Sequence, residues 1–264
     1  MRAFSMCVVF LVVAGVAHAG VYWEHETVLP SPTDFSQSTK SIVRTWHEGQ
    51  RYKRENPSRH ETVIIDVPKG EVYGVSSEKK TFWKMPLDQY RNMAAFSLMV
   101  LGVQQKPDGS ISVVDPLFVA TGQSAQIDRW SAQEMRIAAA LPNGVQTSIW
   151  VSDKVRLPLA GLAAQLKVSL GNPVGAGYDD LYRQWTELPG YPVQTVTTVK
   201  TATATVVSSE TLLSFREMKI PLSEFAVPKG YALIEDPITE MQRKSSDALG
   251  RMQQKAAEPE PKNQ

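Results

Sequence analysis

SIVRTWHEGQRYKRENPSRHETVIIDVPKGEVYGV, residues 41–75, is the stretch that decides the fold class of this chain. β-Branched and aromatic residues come in short runs here, and each run is closed by turn-forming residues. The three closing groups are Gly49-Gln50, Asn56-Pro57-Ser58 and Pro68-Lys69-Gly70. This punctuation predicts a series of short strands rather than helices.

Two strands of this stretch are joined by a two-residue turn. Residues 41–48 and 51–55 flank Gly49-Gln50, and a glycine at the first of two connecting residues is typical of a type II′ hairpin turn. The next strand, residues 61–67, contains the adjacent apolar residues Val63-Ile64-Ile65. Such a run is typical of a strand that is covered on both faces.

Strands are predicted on both sides of this stretch as well. Residues 21–29 are rich in β-branched and aromatic side chains and end at Pro30-Ser31-Pro32. Residues 71–75 and 81–84 are separated by the polar group 76–80. The first part of the chain is therefore predicted to be a β-meander.

The period of the apolar residues changes after Pro86, a residue that suits the first turn of a helix. Phe96, Met99 and Val100 make the later turns apolar nearly all round, so this helix is predicted to lie in the concavity of a sheet. A second helix is predicted from Pro158. The apolar stripes are Leu87, Tyr90, Met93, Ala94, Leu98 and Leu101 in the first helix, and Leu159, Leu162, Ala163, Leu166 and Leu170 in the second.

The rest of the chain returns to strands and ends in a helix. Residues 178–185 are expected to add one or two helical turns, and a final helix is predicted from Asp236 to about Gln254. A disordered tail is expected after it, because Glu258-Pro259-Glu260-Pro261 is charged and rich in proline. Strands are predicted at residues 124–130, 135–140 and 146–151, with two or three more within 193–220.

Residues 1–19 have the pattern of a signal peptide. Arg2 supplies a positive start, residues 8–16 an apolar core, and Ala17-His18-Ala19 the small-x-small pattern of a cleavage site. The apolar run is shorter than the roughly 20 residues that span a bilayer, so cleavage is favoured over an uncleaved membrane anchor. We expect a periplasmic or secreted protein after cleavage between Ala19 and Gly20, with no integral membrane segment.

Composition limits the class of partner. Of the 28 basic side chains only Arg2 lies within residues 1–19, so 27 remain against 27 acidic ones. This neutrality argues against a nucleic-acid partner, which needs a basic surface to neutralise phosphates. The one cysteine, Cys7, lies in the predicted leader, so disulfides, thiolate metal sites and cysteine catalysis are not expected afterwards.

Catalytic and metal-binding patterns are weak in this sequence. His25, His47 and His60 fall on or beside separate predicted strands and form no pair with metal-ligand spacing. Arg54 and Glu55 are adjacent on a strand and point to opposite faces. No serine stands in a Gly-x-Ser-x-Gly elbow. The sequence therefore predicts no catalytic residues, no metal and no cofactor.

Aromatic, leucine and methionine side chains are the strongest candidates for a binding function. They are expected where a curved sheet meets its covering helices, and methionine adapts to irregular apolar ligands. The same side chains would also serve as an ordinary packed core, and the sequence leaves both alternatives open. The candidate ligand-binding residues are Trp46, Tyr52, Trp83, Met93, Phe96, Met99, Leu162 and Leu166.

Several motifs within about residues 20–235 resemble those of one family of exported proteins. The motifs are Trp46–Glu55, Val63–Asp66, Val72-Tyr73 and Lys79–Phe82 in the first half, and Ser148–Ser152, Leu188–Val193 and Phe225–Tyr231 in the second. On these motifs the chain resembles the LolA/LolB-like periplasmic lipoprotein-carrier superfamily, in particular a poorly characterised branch with a conventional signal peptide.

The resemblance implies an α+β fold in which a strongly curved antiparallel β-sheet, a half-barrel, has helices covering its concave face. The cavity of better-known relatives holds lipoprotein acyl chains. This sequence differs from those carriers in its length, its extra C-terminal helix and a segment at 106–116, so lipoprotein transfer is not implied. The expected organisation is a signal peptide at 1–19, the half-barrel domain at 20–235, a C-terminal helix at 236–255 and a disordered tail at 256–264.

Three classes of function remain open. The first is a monomeric carrier of an apolar ligand, either an acyl chain, a lipid or a lipoprotein, between the sheet and helices 86–101 and 158–170. The second is a non-catalytic adaptor whose half-barrel is filled by its own side chains and which engages an envelope protein. The third, an enzyme, requires a polar pocket with convergent titratable groups, which the sequence does not indicate.

Overall fold

The structure is a computed structural model that describes residues 20–31, 37–98, 103–108, 110–138, 144–157, 159–170, 177–200 and 204–257. The predicted leader at 1–19 and residues 258–264 of the predicted tail lie outside the described residues, whereas residues 256 and 257, predicted to be disordered, belong to the last helix. None of the helices within these ranges is long and apolar enough to cross a membrane.

One large sheet dominates the described residues. Its twelve strands follow the order β14-β6-β5-β4-β3-β2-β1-β13-β12-β11-β10-β9, and β7 and β8 pair separately. Neighbouring strands of the large sheet are antiparallel, except that β14 runs parallel to β6. The strands are β1 Gly20–Pro30, β2 Ser38–Glu48, β3 Arg51–Asn56, β4 Glu61–Asp66, β5 Glu71–Ser76, β6 Thr81–Pro86, β7 Gln104–Gln105, β8 Ile111–Ser112, β9 Phe118–Ile127, β10 Trp130–Ile137, β11 Val145–Ser152, β12 Tyr191–Lys200, β13 Thr205–Met218 and β14 Ala232–Leu233.

Within the described residues, four α-helices accompany the sheet. Three of them interrupt the order of the strands, and the fourth follows the last strand. They are α1 Leu87–Leu98, α2 Leu159–Leu170, α3 Tyr178–Thr186 and α4 Pro237–Ala257. The helices predicted at 86–101, from Pro158 and from Asp236 are confirmed over the ranges just given, but Pro86 is the last residue of β6 and residues 99–101 lie outside the described part. The helical turns expected at 178–185 form α3.

The turns that punctuate the first strands have the backbone conformations that their residues favour. Gly49 has φ of 57° between β2 and β3, as the first connecting residue of a II′ turn requires. Gly70 has φ of 66° between β4 and β5. Both are left-handed conformations that glycine adopts without a steric penalty, so the β-meander of the first half is confirmed.

Strand β4 is covered on both faces, as the run Val63-Ile64-Ile65 predicts. Ile65 is fully buried in a core that also contains Val63, whereas Ile64 belongs to a separate core on the other face. Successive side chains of a strand point to opposite faces, so the three adjacent apolar residues are all used.

The sheet is curved, and contacts across its inner face show this. Trp130 at the start of β10 donates its indole N–H to the carbonyl oxygen of Leu212 in β13, at 3.3 Å. The Trp130 ring also stacks with Phe215, with 6.2 Å between ring centroids. Two strands, β11 and β12, lie between β10 and β13. Because neighbouring strands are about 4.8 Å apart, such contacts require the sheet to bend toward this face.

The helices α1, α2 and α3 pack on this concave face. Leu87 of α1 and Val168 of α2 share a core with inward-facing residues of β1 and β3–β6, and α3 packs with β9, β10 and β11. Arg91 of α1 donates to the carbonyl oxygen of Val168, which ties the two helices together. The prediction that these helices lie in a concavity is thus confirmed for their described residues.

The convex face is covered by the segment that follows β13. Phe225 and Ile220 from this segment are buried against Ile64 and Val75 of the meander. The segment then reaches the edge of the sheet, where Ala232 and Leu233 pair with β6. This cover explains why β4 needs an apolar residue on its outer side.

Some predicted bounds differ from the observed ones. A single strand is predicted at 124–130, but β9 ends at Ile127 and β10 begins at Trp130. Asp128 between them has φ of 50°, a left-handed turn conformation that aspartate tolerates better than most residues. The strand predicted at 135–140 accordingly begins earlier and ends at Ile137, and residues 139 and 140 lie outside the described part.

Candidate functional site

A cavity of about 440 Å³ opens on the concave face, beside the part that the helices cover. Five strands, β1, β2, β3, β12 and β13, and the residues around the start of β4 form its wall. The lining consists of Thr27, Leu29, Val43, Arg54, Asn56, Arg59, Glu61, Val63, Thr195, Thr197, Ser208, Ser209 and Glu210. It combines three apolar side chains with hydroxyl groups and four charged groups.

An ion pair between Arg54 and Glu210 crosses this cavity. The two nitrogens Nη1 and Nη2 of Arg54 donate to the two carboxylate oxygens of Glu210, at 3.2 and 3.1 Å. Arg54 lies on β3 and Glu210 on β13, with β2 and β1 between them. The two-pronged geometry is the strong form of an arginine–carboxylate pair, and the curvature of the sheet makes it possible.

His25 of β1 completes a cluster of three titratable groups. Its Nδ1 lies 3.6 Å from Oε1 of Glu210 and has no hydrogen-bond partner among the described residues. The His25 side chain is 14% exposed, whereas Arg54 and Glu210 each keep 36% of their side-chain surface accessible. Arg54 and Glu210 therefore face the cavity, and His25 lies behind them.

Burial and charge set the protonation states of the cluster. Burial lowers the pKa of His25 further than the charge of Glu210 raises it, so the imidazole is neutral near pH 7. Burial by itself would raise the pKa of Glu210, but the charge of Arg54 and its hydrogen bonds to the carboxylate outweigh burial, so the pKa is lowered. The resting cluster thus holds one positive and one negative charge.

Hydroxyl and amide groups extend the polar wall beside this cluster. Thr27 and Ser41 share a hydrogen bond of 2.7 Å between their hydroxyl oxygens, and Asn56 donates from Nδ2 to the Ser41 hydroxyl at 3.3 Å. Across the cavity the hydroxyls of Thr147 and Thr197 lie 3.3 Å apart. These groups already pair with one another, so the wall is preorganised.

The structure does not bring the predicted ligand-binding residues together. Tyr52 and Trp83 pack on the concave face in the core beneath the helices. Trp46 lies on the convex face instead, where its ring is 5.1 Å from Tyr22 and Lys53 lies over it. The reason is the period of two: Trp46 pairs with Tyr22 and Lys53, which all point away from the side of Tyr52.

The remaining predicted residues lie on the helices. Leu166 is partly buried against the core shared by α2 and α3. Met93 and Phe96 belong to α1 and Leu162 to α2, but their side chains are not among those described, and Met99 lies outside the described residues altogether. None of the described members of the set lines the cavity of Arg54 and Glu210.

The cluster of His25, Arg54 and Glu210 was not predicted as a site from the sequence. Arg54 and Glu55 do point to opposite faces, as expected, since Glu55 lies 3.9 Å from Lys53 on the convex side. A signal was present in β1, where His25 and Thr27 continue the inward-facing series of Val21 and Trp23. The pairing of β1 with β13 then brings Glu210 close to His25, and no local sequence pattern predicts that pairing.

Metal binding finds no support in the described part of the chain. No group of three or more His, Cys, Asp or Glu side chains within it is arranged to hold a metal ion. His25 and His47 both face the concave side on neighbouring strands, and His60 occupies a left-handed turn position with φ of 56°.

Comparisons with known proteins give distant structural similarities. No protein-family model and no curated protein matches the chain. Among solved structures it is similar to an uncharacterized conserved protein from Thermus thermophilus, at 8% identity and a TM-score of 0.44, over 83% of this chain and 91% of that one. It is also similar to PNGF-II, at 11% identity and a TM-score of 0.37, over 85% of this chain and 32% of that one.

A third similar structure is the LolA superfamily protein NE2245 from Nitrosomonas europaea. The identity is 7% and the TM-score 0.33, over 79% of this chain and 90% of that one. All three TM-scores are below 0.5, and the identities are 7–11%.

Proposed function

We propose that this protein is an exported, non-catalytic binding protein or carrier that shelters an amphipathic ligand in the concavity of a half-barrel. The ligand class is a single acyl chain with a polar end, as in a fatty acid, a lipid or an acylated polypeptide. The observation that carries the proposal is the cavity of about 440 Å³ with both apolar and charged walls. Its volume falls within the roughly 300–1,000 Å³ of small-molecule sites.

The apolar wall of the cavity fits the acyl chain of the ligand, and the charged wall fits its polar end. Leu29, Val43 and Val63 offer apolar surface, and each methylene that leaves water there contributes about 0.8 kcal/mol. Arg54 and Glu210 offer hydrogen bonds to a polar end. A purely apolar ligand would remove water from this ion pair without replacing the hydrogen bonds that the water makes, so an amphipathic ligand fits better.

This position differs from the one expected under the helices. Beneath the described parts of α1 and α2, side chains of the sheet and of both helices pack into one core. They include Trp23, Tyr52, Ile65, Val72, Met85, Leu87 and Val168. The proposed site therefore lies beside the helices, where the described side chains leave space.

Export is part of the same proposal. The charge, apolar run and small-x-small pattern of residues 1–19 support it, and cleavage after Ala19 would leave all residues of β1 Gly20–Pro30 in place. Mass spectrometry of the protein isolated from its own cells tests this point. A chain that begins at Gly20 is expected, and an uncleaved chain in the cytoplasmic fraction would contradict it.

Blocking the cavity tests the binding function. Ser208 lines the cavity and Val207, next to it on β13, is 48% exposed on the opposite face. Native mass spectrometry of protein from its own envelope, followed by lipid extraction, is expected to detect a bound amphiphile. Ser208→Trp should lose it and the matched variant Val207→Trp should keep it. Absence of any co-purifying amphiphile, or equal retention by both variants, would refute the site.

An adaptor is a second candidate, favoured by the packed core that the described side chains form beneath the helices. Helix α4 leaves Met241 61% exposed, while Ile238 anchors the helix to the core. Deleting residues 236–264 separates the two functions. A carrier is expected to retain its amphiphile after this deletion, whereas an adaptor would lose a partner protein in pull-down from the cell envelope.

A further inference from the structure

The charges that His25, Arg54 and Glu210 can carry limit the class of ligand that the cavity binds. Arg54 does not lose its proton in the accessible pH range, so its charge is fixed. Glu210 can be negative or neutral, and His25 can be neutral or positive. The cluster as a whole can therefore carry a charge of zero or a positive charge, but never a negative one. It can compensate a bound anion and it cannot compensate a bound cation.

The other titratable groups near the cluster do not change this conclusion. Tyr191 from β12 and Tyr90 from α1 have pKa values raised by burial, so they stay neutral. Tyr52 of β3 interacts with the Arg54 guanidinium on the same strand. The strand β2 presents Val43 and Thr45 beside His25, and neither carries a charge.

The charged residues at the mouth of the cavity also leave its net charge unchanged. Arg59 and Glu61 lie at this rim, are exposed to solvent and carry opposite charges. The charge that a ligand meets inside the cavity is therefore set by His25, Arg54 and Glu210.

Geometry gives the anion a place beside Glu210. Arg54 has five N–H donors, and the ion pair with Glu210 uses one from Nη1 and one from Nη2. Two carboxylates on one guanidinium would leave a net negative charge in a partly buried place. His25 can remove that excess, because its unpartnered Nδ1 is 3.6 Å from Glu210 and becomes a donor once protonated.

We infer that the cavity accepts an amphiphile with a singly charged oxyanion as its polar end, held by Arg54, and that His25 takes up a proton when the anion binds. The inference rests on the proposed function and adds the head-group class to it. A fatty-acid carboxylate and the phosphodiester of a single-chain lipid share this chemistry. Neutral and cationic head groups of equal chain length are expected to bind more weakly.

Isothermal titration calorimetry with decanoate, decanol and a short-chain lysophosphatidylglycerol tests the inference on the full chain. Decanoate should bind at least about tenfold more tightly than decanol. Titrations in buffers of different ionisation enthalpy should show uptake of close to one proton per decanoate. Because a proton is taken up, affinity should increase as pH falls from about 8 to about 6, by up to about tenfold per pH unit. Comparison with the lysolipid shows which oxyanion source is preferred.

Two histidine variants assign the proton. His25→Asn should abolish proton uptake and reduce the preference for decanoate over decanol. His60→Asn is the matched control, because His60 is exposed, and asparagine tolerates its left-handed φ of 56°. If His25→Asn does not fold, the wild-type comparison of decanoate with decanol and the proton count still decide the question.

The outcomes separate the inference from the proposed function. Equal binding of decanoate and decanol, or decanoate binding without proton uptake, would overturn the inference and leave the proposed carrier of amphiphiles in place. Proton uptake that persists in His25→Asn would overturn the role of His25. Failure of all three probes to bind would contradict the proposed function and the inference together.

Discussion

Arg54 and Glu55 are neighbours in sequence, yet they contribute to different faces of the molecule. Arg54 reaches across the concave side to Glu210, while Glu55 lies near Lys53 on the convex side. The period of two in a strand predicts this separation from the sequence alone. It does not predict Glu210, which is 156 residues further along the chain and meets Arg54 only because the sheet bends.

Removing the charge of Glu210 should destabilise the fold, because Arg54 would be left in the cavity without a counter-ion. For Glu210→Gln we expect a loss of about 2 kcal/mol in the free energy of unfolding, between the values for exposed and for fully buried pairs, since water reaches both side chains. Urea denaturation measures it. The double variant Arg54→Met with Glu210→Met should recover part of the loss. An unchanged free energy of unfolding in Glu210→Gln would show that the pair contributes nothing.

His47 should make the protein less stable in mild acid. Burial lowers its pKa below the ordinary value of 6.5, more than Glu48 raises it, so the folded state holds a neutral imidazole. The unfolded state takes up a proton first as pH falls, and stability is lost from about pH 6.5 downward. His47→Gln should reduce this slope of unfolding free energy against pH, while His25 keeps part of it. An unchanged slope would exclude His47 as a contributor, and His60→Asn serves as the control.

Strands and helices of this chain differ in how closely the sequence specifies them. The hairpin at Gly49, the doubly covered β4 and the helices after Pro86 and Pro158 follow from local turn chemistry and period. The boundary between β9 and β10 does not follow from the local sequence. The left-handed turn position is occupied by Asp128, and no glycine or proline marks the turn. The pairing of β1 with β13 cannot be predicted locally either, because the two strands are neighbours in the middle of the sheet but lie far apart in the sequence.

Two glycines should respond in opposite directions to the same substitution. A Cβ added at Gly74 would overlap the indole of Trp83 on the neighbouring strand, so Gly74→Ala should cost about 1–3 kcal/mol. A Cβ at Gly161 in α2 meets nothing within 4 Å, so Gly161→Ala should stabilise by about 0.5–1 kcal/mol through helix propensity. Thermal unfolding of both variants tests the packing of sheet and helix. A stabilising Gly74→Ala would contradict the position of Trp83.

Helix α4 should depend on Asp236 as its cap. The Asp236 carboxylate accepts hydrogen bonds from the backbone N–H groups of Ile238 and Thr239, both at 3.0 Å. Asp236→Ala should cost the first turn about 1 kcal/mol and speed hydrogen exchange at its amides. Asp247→Ala, which removes only an exposed pair with Arg243, should leave that exchange unchanged. Equal exchange in both variants would show that the cap does not hold α4.

At the scale of the whole molecule, the sequence predicts the arrangement of sheet and helices but not the position of the binding region. A curved sheet with helices on its inner face could be predicted, because apolar helices need cover and the strand pattern supplies it. The binding region could not, because the expected aromatic set is split between two faces and Tyr52 is part of a filled core. The cavity of Arg54 and Glu210 is lined by polar and apolar residues of six strands from both halves of the chain. Only the assembled sheet brings them together.

The central claim is that a ligand occupies the concave cavity, and thiol labelling tests it most directly. In a Cys7→Ser background, a cysteine introduced by Ser208→Cys faces the cavity and one introduced by Val207→Cys faces solvent on the other side. Saturating decanoate should slow maleimide labelling at position 208 and leave position 207 unchanged. Equal labelling rates with and without decanoate at both positions, under conditions where decanoate is bound, would contradict the claim.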